Sequence, residues 1–176
     1  MIVGMELEFS IQILFKGELN MIVIGYQGIG KSTLSKLSNE YIDLESGNFW
    51  VDGKRDENWY KPYCQIAVDL SSQGYIVFTS SHEVVRKYFI NCLDTDEKII
   101  AVVPSLELRD EWINKLFQRF NDSKLEKDYK AYMNALARYS ANIYEVCEDG
   151  ALLDGTIIIN DMNYDLDALL QKAKKK

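Results

Sequence analysis

The feature that most constrains the fold of this chain is a glycine-rich segment near residue 30. Four apolar residues, Met21 to Ile24, come first, and the sequence continues as Gly25-Tyr26-Gln27-Gly28-Ile29-Gly30-Lys31-Ser32-Thr33. The first glycine, the last glycine, the lysine and the serine stand at the spacing G-x-x-x-x-G-K-[ST]. An apolar strand before the segment and helix-compatible residues after it supply the context in which this spacing forms a phosphate-binding loop. The segment therefore predicts that the chain binds the phosphates of a nucleotide.

Each residue type in this loop has a chemical reason. Glycines let main-chain N–H groups curl around phosphate oxygens without steric conflict, and the N-terminus of the following helix adds partial positive charge. We expect Lys31 to reach the β- and γ-phosphates and the Ser32 hydroxyl to bind Mg²⁺, so the predicted cofactors are ATP and Mg²⁺. The predicted nucleotide-binding residues are Gly25, Gln27, Gly28, Ile29, Gly30, Lys31, Ser32 and Thr33.

Composition excludes several other classes of protein. The 176 residues are 47% hydrophobic and 27% charged, which is ordinary for a globular domain, and the net charge of −7 opposes a broad nucleic-acid-binding surface. No apolar run approaches the roughly 18 residues of a membrane span, and we expect no secretory signal, because the first residues lack a basic region followed by an apolar one. The three cysteines lie far apart, which argues against a disulfide framework or a zinc site. We expect a cytoplasmic protein without a nucleic-acid or membrane partner; its oligomeric state stays open.

Apolar strand patterns alternate with helical patterns along the rest of the chain. After the strand at residue 21, further strands are predicted at Tyr41–Glu45, Tyr75–Thr79, Ile99–Val103 and Thr156–Asn160. This alternation predicts an α/β domain with a five-stranded parallel sheet that binds ligands at the carboxyl ends of its strands. The domain is expected to span residues 21–176. Residues 1–20 are either an N-terminal extension or an added edge strand.

Two groups of polar residues favour phosphate transfer to a small molecule. Asp43 and Glu45 end the second predicted strand and should lie at the ligand-binding edge of the sheet. A helical segment that carries Arg109, Arg119 and Arg138 follows the fourth strand.

Ser80, before Glu83, is the predicted cap of the helix that follows the third strand.

In layout, residues 21–170 resemble the nucleoside monophosphate kinase superfamily, which includes shikimate and gluconate kinases. The runs Asp43–Phe49 and Val77–Val85 are also similar to small bacteriophage-encoded proteins described as nucleotide kinases. The resemblance implies a three-layer P-loop NTPase fold with a helical lid. It also implies transfer of the ATP γ-phosphate to a small acceptor, with a (deoxy)nucleoside monophosphate as the first candidate.

The same resemblance implies roles for individual residues. Lys31, Asp43 and Arg119 would be catalytic: Asp43 would position the acceptor or a metal-linked water, and Arg119 would neutralise charge on the moving phosphoryl group. Arg109 is a second candidate for that role. The segment Asn160–Tyr164 would surround adenine. The substrate-binding candidates are Asp43, Trp50, Arg55 and Arg86, and the metal ligand is Ser32.

The sequence departs from the kinase pattern in two places. The third predicted strand leads into Ser80, Ser81 and His82 without the acidic residue that many P-loop proteins carry there, and the lid region is poor in arginine. Two alternatives therefore stay open: a kinase for a hydroxylated metabolite, or a nucleotide-binding regulatory protein with little catalysis. His82 is either a general base or an ordinary exposed residue at a helix start.

Overall fold

The computed structural model describes residues 20–175, so the expectations for residues 1–19 lie outside the described part of the chain. Two short 3₁₀ helices, Ser46–Phe49 and Leu106–Leu108, accompany the main elements. In chain order the main elements are β1 Met21–Gly25, α1 Lys31–Leu37, β2 Tyr41–Asp43, β3 Trp50–Val51, β4 Lys54–Arg55, α2 Tyr60–Ser72, β5 Ile76–Ser80, α3 Glu83–Asn91, β6 Ile99–Pro104, α4 Arg109–Ser123, α5 Glu126–Gly150, β7 Thr156–Ile159 and α6 Leu166–Lys174. Over residues 20–175, none of the helices has both the length and the apolar content that crossing a membrane requires.

Five of these strands form one parallel sheet in the order β2-β5-β1-β6-β7. The central strand β1 places Ile24 beside Thr79 of β5 and beside Ala101 of β6. All five carboxyl ends therefore lie at one edge, as the alternating pattern predicts, and the α/β prediction with a five-stranded parallel sheet is confirmed. The strands β3 and β4 form a separate antiparallel hairpin, which turns through positive φ at Asp52 and Gly53.

Helices pack against both faces of the sheet, as a three-layer arrangement requires. Successive side chains of a strand point to opposite faces. Ile22 and Ile24 accordingly pack in one apolar cluster with α2 and α3, whereas Met21 and Val23 pack in another with α4, α5 and α6. These residues are fully buried, as expected of a strand covered on both faces.

The segment predicted as a helical lid forms an antiparallel hairpin of α4 and α5. The ring of Phe117 packs at a tilt against Tyr132 and that of Phe120 against Tyr129, with centroids 5.3 and 5.2 Å apart, which shows that the two helices run in opposite directions. The base of the hairpin belongs to the core, where Trp112 of α4 is fully buried. Arg138 interrupts α5 with non-helical dihedral angles (φ −137°, ψ 20°).

The prediction of Ser80 as a helix cap is wrong. The parallel pairing of β1 with β5 extends to Gly25 and Ser80, so Ser80 is the last residue of the strand. The helix α3 begins after His82, and no side chain in the described part of the chain caps its N-terminus. The Ser80 hydroxyl instead lies 2.9 Å from Nδ1 of His82.

Candidate functional site

A cleft of about 1630 Å³ runs along the edge where the parallel strands end. Its walls are the glycine-rich loop, the end of β2, the β3–β4 hairpin, the end of β5, the α4–α5 hairpin and the segment after β7. Single ligand pockets usually measure about 300–1,000 Å³, so this cleft has room for two ligands side by side. The predicted residues that line it are Gln27, Gly28, Ile29, Gly30, Lys31, Ser32, Thr33, Asp43, Trp50, Arg55 and Arg119.

Close packing explains the glycines of the loop. A Cβ atom at Gly25 would lie 2.7 Å from side-chain carbons of both Ile29 and Lys31. At Gly28, where φ is +85°, a Cβ atom would lie 3.0 Å from Leu116 of α4. The loop therefore folds tightly on itself and against the helical hairpin, and larger residues at these two positions would displace it.

The main chain of this loop presents a run of unpaired donors. Among the residues that the structure describes, no protein acceptor is hydrogen-bonded to the amides of residues 27–32. The amides on either side are paired: that of Tyr26 donates to the Val102 carbonyl (2.9 Å) and that of Thr33 to the Gly30 carbonyl (3.1 Å). Consecutive free amides in a curled loop are the arrangement that binds anions.

Lys31 lies at the centre of the charged groups in the cleft. Its Nζ donates a hydrogen bond to the Gly25 carbonyl oxygen (2.7 Å), which folds the side chain back over the loop. Burial lowers the pKa of Lys31, whereas the carboxylates of Asp43 and Glu45 act to raise it. A desolvated ammonium beside free amides is suited to hold a phosphate group.

The loop is joined to β2 through Ser32 and Asp43. Oγ of Ser32 donates to Oδ2 of Asp43 at 2.5 Å. A hydroxyl and a carboxylate are both oxygen ligands that Mg²⁺ accepts, and nucleotide-bound Mg²⁺ commonly uses only one or two protein ligands. This pair therefore fits a magnesium site completed by phosphate oxygens and water. In residues 20–175 there is no group of three or more His, Cys, Asp and Glu residues that could hold a metal ion by themselves.

Three contacts that the sequence analysis missed fix the loop, two of them from the α4–α5 hairpin and one from Tyr164 in the segment after β7. The Trp112 indole N–H donates to the Gln27 carbonyl (2.9 Å), and the Gln27 side-chain amide donates to the Ala131 carbonyl (2.8 Å). The Tyr164 ring stacks on Trp112, with centroids 6.0 Å apart, and its hydroxyl lies 3.4 Å from the Gly28 carbonyl. A buried tryptophan needs a hydrogen-bond acceptor for its indole N–H. This requirement is the only feature of the sequence that points to the contact made by Trp112.

Lys115 adds a cation that the sequence analysis also missed. Its Nζ lies 4.4 Å from the centroid of the Trp112 ring and 3.1 Å from the Tyr164 hydroxyl. Burial lowers the pKa of Lys115, and the nearby Arg119 guanidinium acts in the same direction. Together Lys115 and Arg119 make this wall of the cleft positively charged.

Arg119 reaches the cleft, where a buried carboxylate holds it. Its Nε donates to Oδ1 of Asp128 (2.7 Å), Nη2 donates to the same oxygen, and Ser123 Oγ donates to Oδ2 (2.6 Å). Burial acts to raise the pKa of Asp128, but the hydrogen bonds from Ser123 and Arg119 outweigh it and the pKa is lowered. Asp128 is therefore ionised and fixes the direction in which Arg119 points.

The wall of the cleft formed by the β3–β4 hairpin contains Arg55, which lies between two aromatic rings. The guanidinium carbon lies 3.7 Å from the Trp59 ring centroid and 5.3 Å from that of Trp50, and Nη2 donates to the Ser46 carbonyl. His82 packs edge-to-face on Trp59, with ring centroids 5.6 Å apart. Desolvation by the surrounding protein lowers the pKa of His82, and the cations Arg55 and Lys31 contribute in the same direction. His82 is therefore neutral at pH 7.

Three predicted site residues do not line the cleft, and one of them, Arg109, forms an exposed ion pair with Asp110 instead. Gly25 lies beneath the loop, where its carbonyl holds Lys31. Arg86 is buried: its Nε donates to Oδ2 of Asp149 (2.6 Å) and its Nη1 donates to the Ser81 carbonyl. This ion pair, which Lys87 joins at 2.6 Å, connects α3 to α5. The prediction of Arg86 as a substrate-binding residue finds no support in this position.

The described residues thus bring together a loop of free amides, a lysine, a Ser–Asp pair and an arginine at one end of a wide cleft. A second arginine between two tryptophans lies on the wall formed by the β3–β4 hairpin. In comparisons with protein-family models, with curated proteins and with solved structures, no significant match to this chain was found.

Proposed function

We propose that this chain is an ATP-dependent phosphotransferase with a P-loop NTPase fold, which moves the γ-phosphate of ATP to a small acceptor. A (deoxy)nucleoside monophosphate is the first candidate for that acceptor. The observation that carries the proposal is the run of unpaired amides in residues 27–32, beside the half-buried Lys31 ammonium, at the edge of a cleft with room for a donor and an acceptor.

The residues of the loop have distinct tasks in this reaction. The amides and Lys31 hold the β- and γ-phosphates, and Ser32 with Asp43 would hold Mg²⁺. When bound, Mg²⁺ supplies positive charge that offsets the charge of the phosphates. Asp43 also positions the attacking oxygen of the acceptor. Catalysis of this kind consists mainly of positioning and electrostatic stabilisation, so it requires no protein nucleophile.

Arg119 would stabilise the phosphoryl group during transfer. Two of its five N–H donors are used by Asp128, and the others are available to phosphate oxygens. Because the Asp128 carboxylate is itself fixed by Ser123, the guanidinium does not have to be ordered at the moment of reaction. The resemblance of the sequence to small-molecule kinases supports the same role.

A nucleotide-binding regulator with little catalysis is the second candidate. Two observations favour it: Arg119 is already ion-paired, and β5 ends at Ser80 without a carboxylate at the ligand-binding edge. A kinase for a hydroxylated acid of the shikimate or gluconate type is the alternative within the enzymes. Its acceptor would use the same cleft.

One assay separates these functions. The purified chain is incubated with Mg²⁺ and ATP, alone and with nucleoside monophosphates, nucleosides or sugar acids, while ADP release is measured. Acceptor-dependent release identifies a kinase and its acceptor class. Slow release that no acceptor increases supports the regulator, and a chain that does not bind ATP refutes both.

The matched variants for this assay are Lys31→Ala and Lys36→Ala. Lys31→Ala removes the ammonium from the loop, so we expect ATP affinity to fall about tenfold or more and transfer to be abolished. Lys36 is an exposed residue of the same helix that does not line the cleft, and its replacement should change neither quantity. Full activity of Lys31→Ala, with the fold intact by circular dichroism, would contradict the assignment of the donor site.

A further inference from the structure

Among the residues that the structure describes, Arg55 is the one arginine without a carboxylate partner. The sequence contains five arginines, all within residues 20–175. Four of them form salt bridges: Arg86 with Asp149, Arg109 with Asp110, Arg119 with Asp128 and Arg138 with Glu145. No described carboxylate forms one with Arg55, although this side chain lines the cleft. Its charge is therefore not balanced by the protein around it.

The hydrogen-bonding capacity of Arg55 is also largely unused. A guanidinium has five N–H donors, and the described residues supply one acceptor, the Ser46 carbonyl. Nε is buried and has no hydrogen-bond partner in this part of the chain. A buried donor without a partner is costly, and a ligand that supplies an acceptor would remove that cost.

Arg55 lies against two tryptophan rings and near other cations. The Trp59 ring, 92% buried, supports one face of the guanidinium, and Trp50, which is 54% exposed, lies on the cleft side. Burial lowers the pKa of His82 most, and the cations Arg55, Lys31 and Arg86 lower it further. Of these cations, Arg55 and Lys31 line the cleft, so the positive charge at this wall is present before any ligand arrives.

We propose that Arg55 binds an anionic group of the phosphate acceptor, a phosphate monoester or a carboxylate, while Trp50 stacks beside the acceptor. This inference rests on the proposed function, because it assigns the second half of the cleft to the acceptor. A planar guanidinium matches either anion through two parallel hydrogen bonds, and only an anion balances the unpaired charge. Neutral nucleosides and neutral sugars would leave Arg55 unpaired, so the site selects against them.

Binding of the acceptor anion is measured without ATP, so that its failure is distinct from failure of the donor site. The probes are inorganic phosphate, the common nucleoside 5′-monophosphates, the matching neutral nucleosides and gluconate, titrated by calorimetry. The variants are Arg55→Gln, Arg55→Lys and the control Lys54→Gln, since Lys54 is exposed in the same hairpin and does not line the cleft. ATP affinity and thermal unfolding of each variant are measured in parallel.

We expect at least one anion to bind the wild-type chain and the corresponding neutral compound to bind at least tenfold more weakly. Arg55→Gln should weaken anion binding by about 10- to 100-fold, with ATP affinity unchanged. Arg55→Lys should restore binding only in part, and Lys54→Gln should behave as wild type. Tight binding of nucleoside monophosphates but not gluconate identifies a phosphate monoester as the anion; the reverse identifies a carboxylate.

Three results would overturn the inference: no anion in the panel binds a chain that binds ATP, Arg55→Gln binds the anions as the wild type does, or neutral nucleosides bind as well as their monophosphates. If ATP does not bind but an anion still requires Arg55, the donor site is refuted and the anion site stands. If Arg55→Gln unfolds, the comparison of Arg55→Lys with Lys54→Gln decides in its place.

Discussion

Lys31 and Ser32 are neighbours in sequence, and each connects the loop to a different partner. Lys31 is bonded to the carbonyl of Gly25, where β1 ends, and Ser32 to the carboxylate of Asp43, where β2 ends. Side chains that are already directed by such bonds need little rearrangement when phosphate and metal arrive. Single residues thus prepare the site, and the tests at this scale are substitutions that remove one group.

His82 gives a prediction about pH, because it is the only histidine in the chain. Its pKa in the folded state is lowered by desolvation and by the cations around it. The unfolded chain, with an ordinary pKa of about 6.5, therefore takes up the proton first as the pH falls. Protonation below this pH favours the unfolded state, so His82 makes the folded chain less stable at acid pH and has no such effect above it.

The measurement is urea unfolding of the wild type and of His82→Gln at pH 7 and at pH 5. The wild type should lose more unfolding free energy over this interval than the variant, since only the wild type carries the titrating ring. Above about pH 7 the difference in unfolding free energy between the two proteins should no longer change with pH. Equal losses in both would show that the folded state does not disfavour the imidazolium.

At the scale of elements, the α4–α5 hairpin is both part of the core and a wall of the site. Trp112 and Leu116 are almost fully buried, whereas Arg119, one turn further along α4, reaches the cleft. The Glu45 carboxylate, near the end of β2, also lies 3.5 Å from Lys127 at the start of α5. The hairpin is therefore held at its base by packing and near its tip by charge.

Of the residues near the tip of the hairpin, we expect Asp128 to contribute most to its stability. Replacing it with Asn removes the charge that three donors from Arg119 and Ser123 share. We expect the free energy of unfolding to fall by about 1–2 kcal/mol, limited because the Arg119 side chain is half exposed and its ion pair is partly screened. Phosphate transfer should fall further than ATP binding, because the change releases Arg119.

The matched control is Asp110→Asn. Asp110 also forms an ion pair with an arginine of α4, at 2.7 Å, but both side chains are exposed. Such surface pairs contribute little, so this variant should stay within about 0.5 kcal/mol of the wild type. Chemical denaturation of both variants is the measurement, and equal effects would remove the special role given to Asp128.

The sequence predicts the elements better than the contacts between them. The strands are predictable because β-branched runs such as Ile99–Val103 are typical of strands buried on both faces. The loop is predictable because its glycines and lysine have a fixed spacing. Trp59, Lys115 and Asp128 escaped prediction. Their roles depend on contacts between segments that are far apart in sequence, and no local sequence pattern predicts such contacts. Arg86 shows the converse: its charge suggested a ligand, yet Asp149, 63 residues away, binds it.

At the scale of the whole molecule, the cleft is assembled from nearly every part of the described domain. The loop follows β1, Asp43 ends β2, Arg55 lies on the separate hairpin, His82 follows β5, and Arg119 lies on α4. Parallel strands make this possible, because their carboxyl ends meet at one edge. A ligand that contacts these groups together should therefore stabilise the folded domain as a unit.

Thermal unfolding with and without Mg²⁺ and ATP tests this coupling. A ligand that binds only the folded state adds about 2.7 kcal/mol of stability at one hundred times its dissociation constant. In a domain of this size each kcal/mol corresponds to about 2–4 °C, so the Tm should rise by roughly 5–10 °C at saturating Mg²⁺ and ATP. Lys31→Ala, whose ATP affinity should be lower about tenfold or more, should show about half of this rise or less at the same concentration, while Lys36→Ala should show all of it. If Mg²⁺ and ATP do not raise the Tm of the wild type, the nucleotide does not bind to the loop and the cleft of the folded domain.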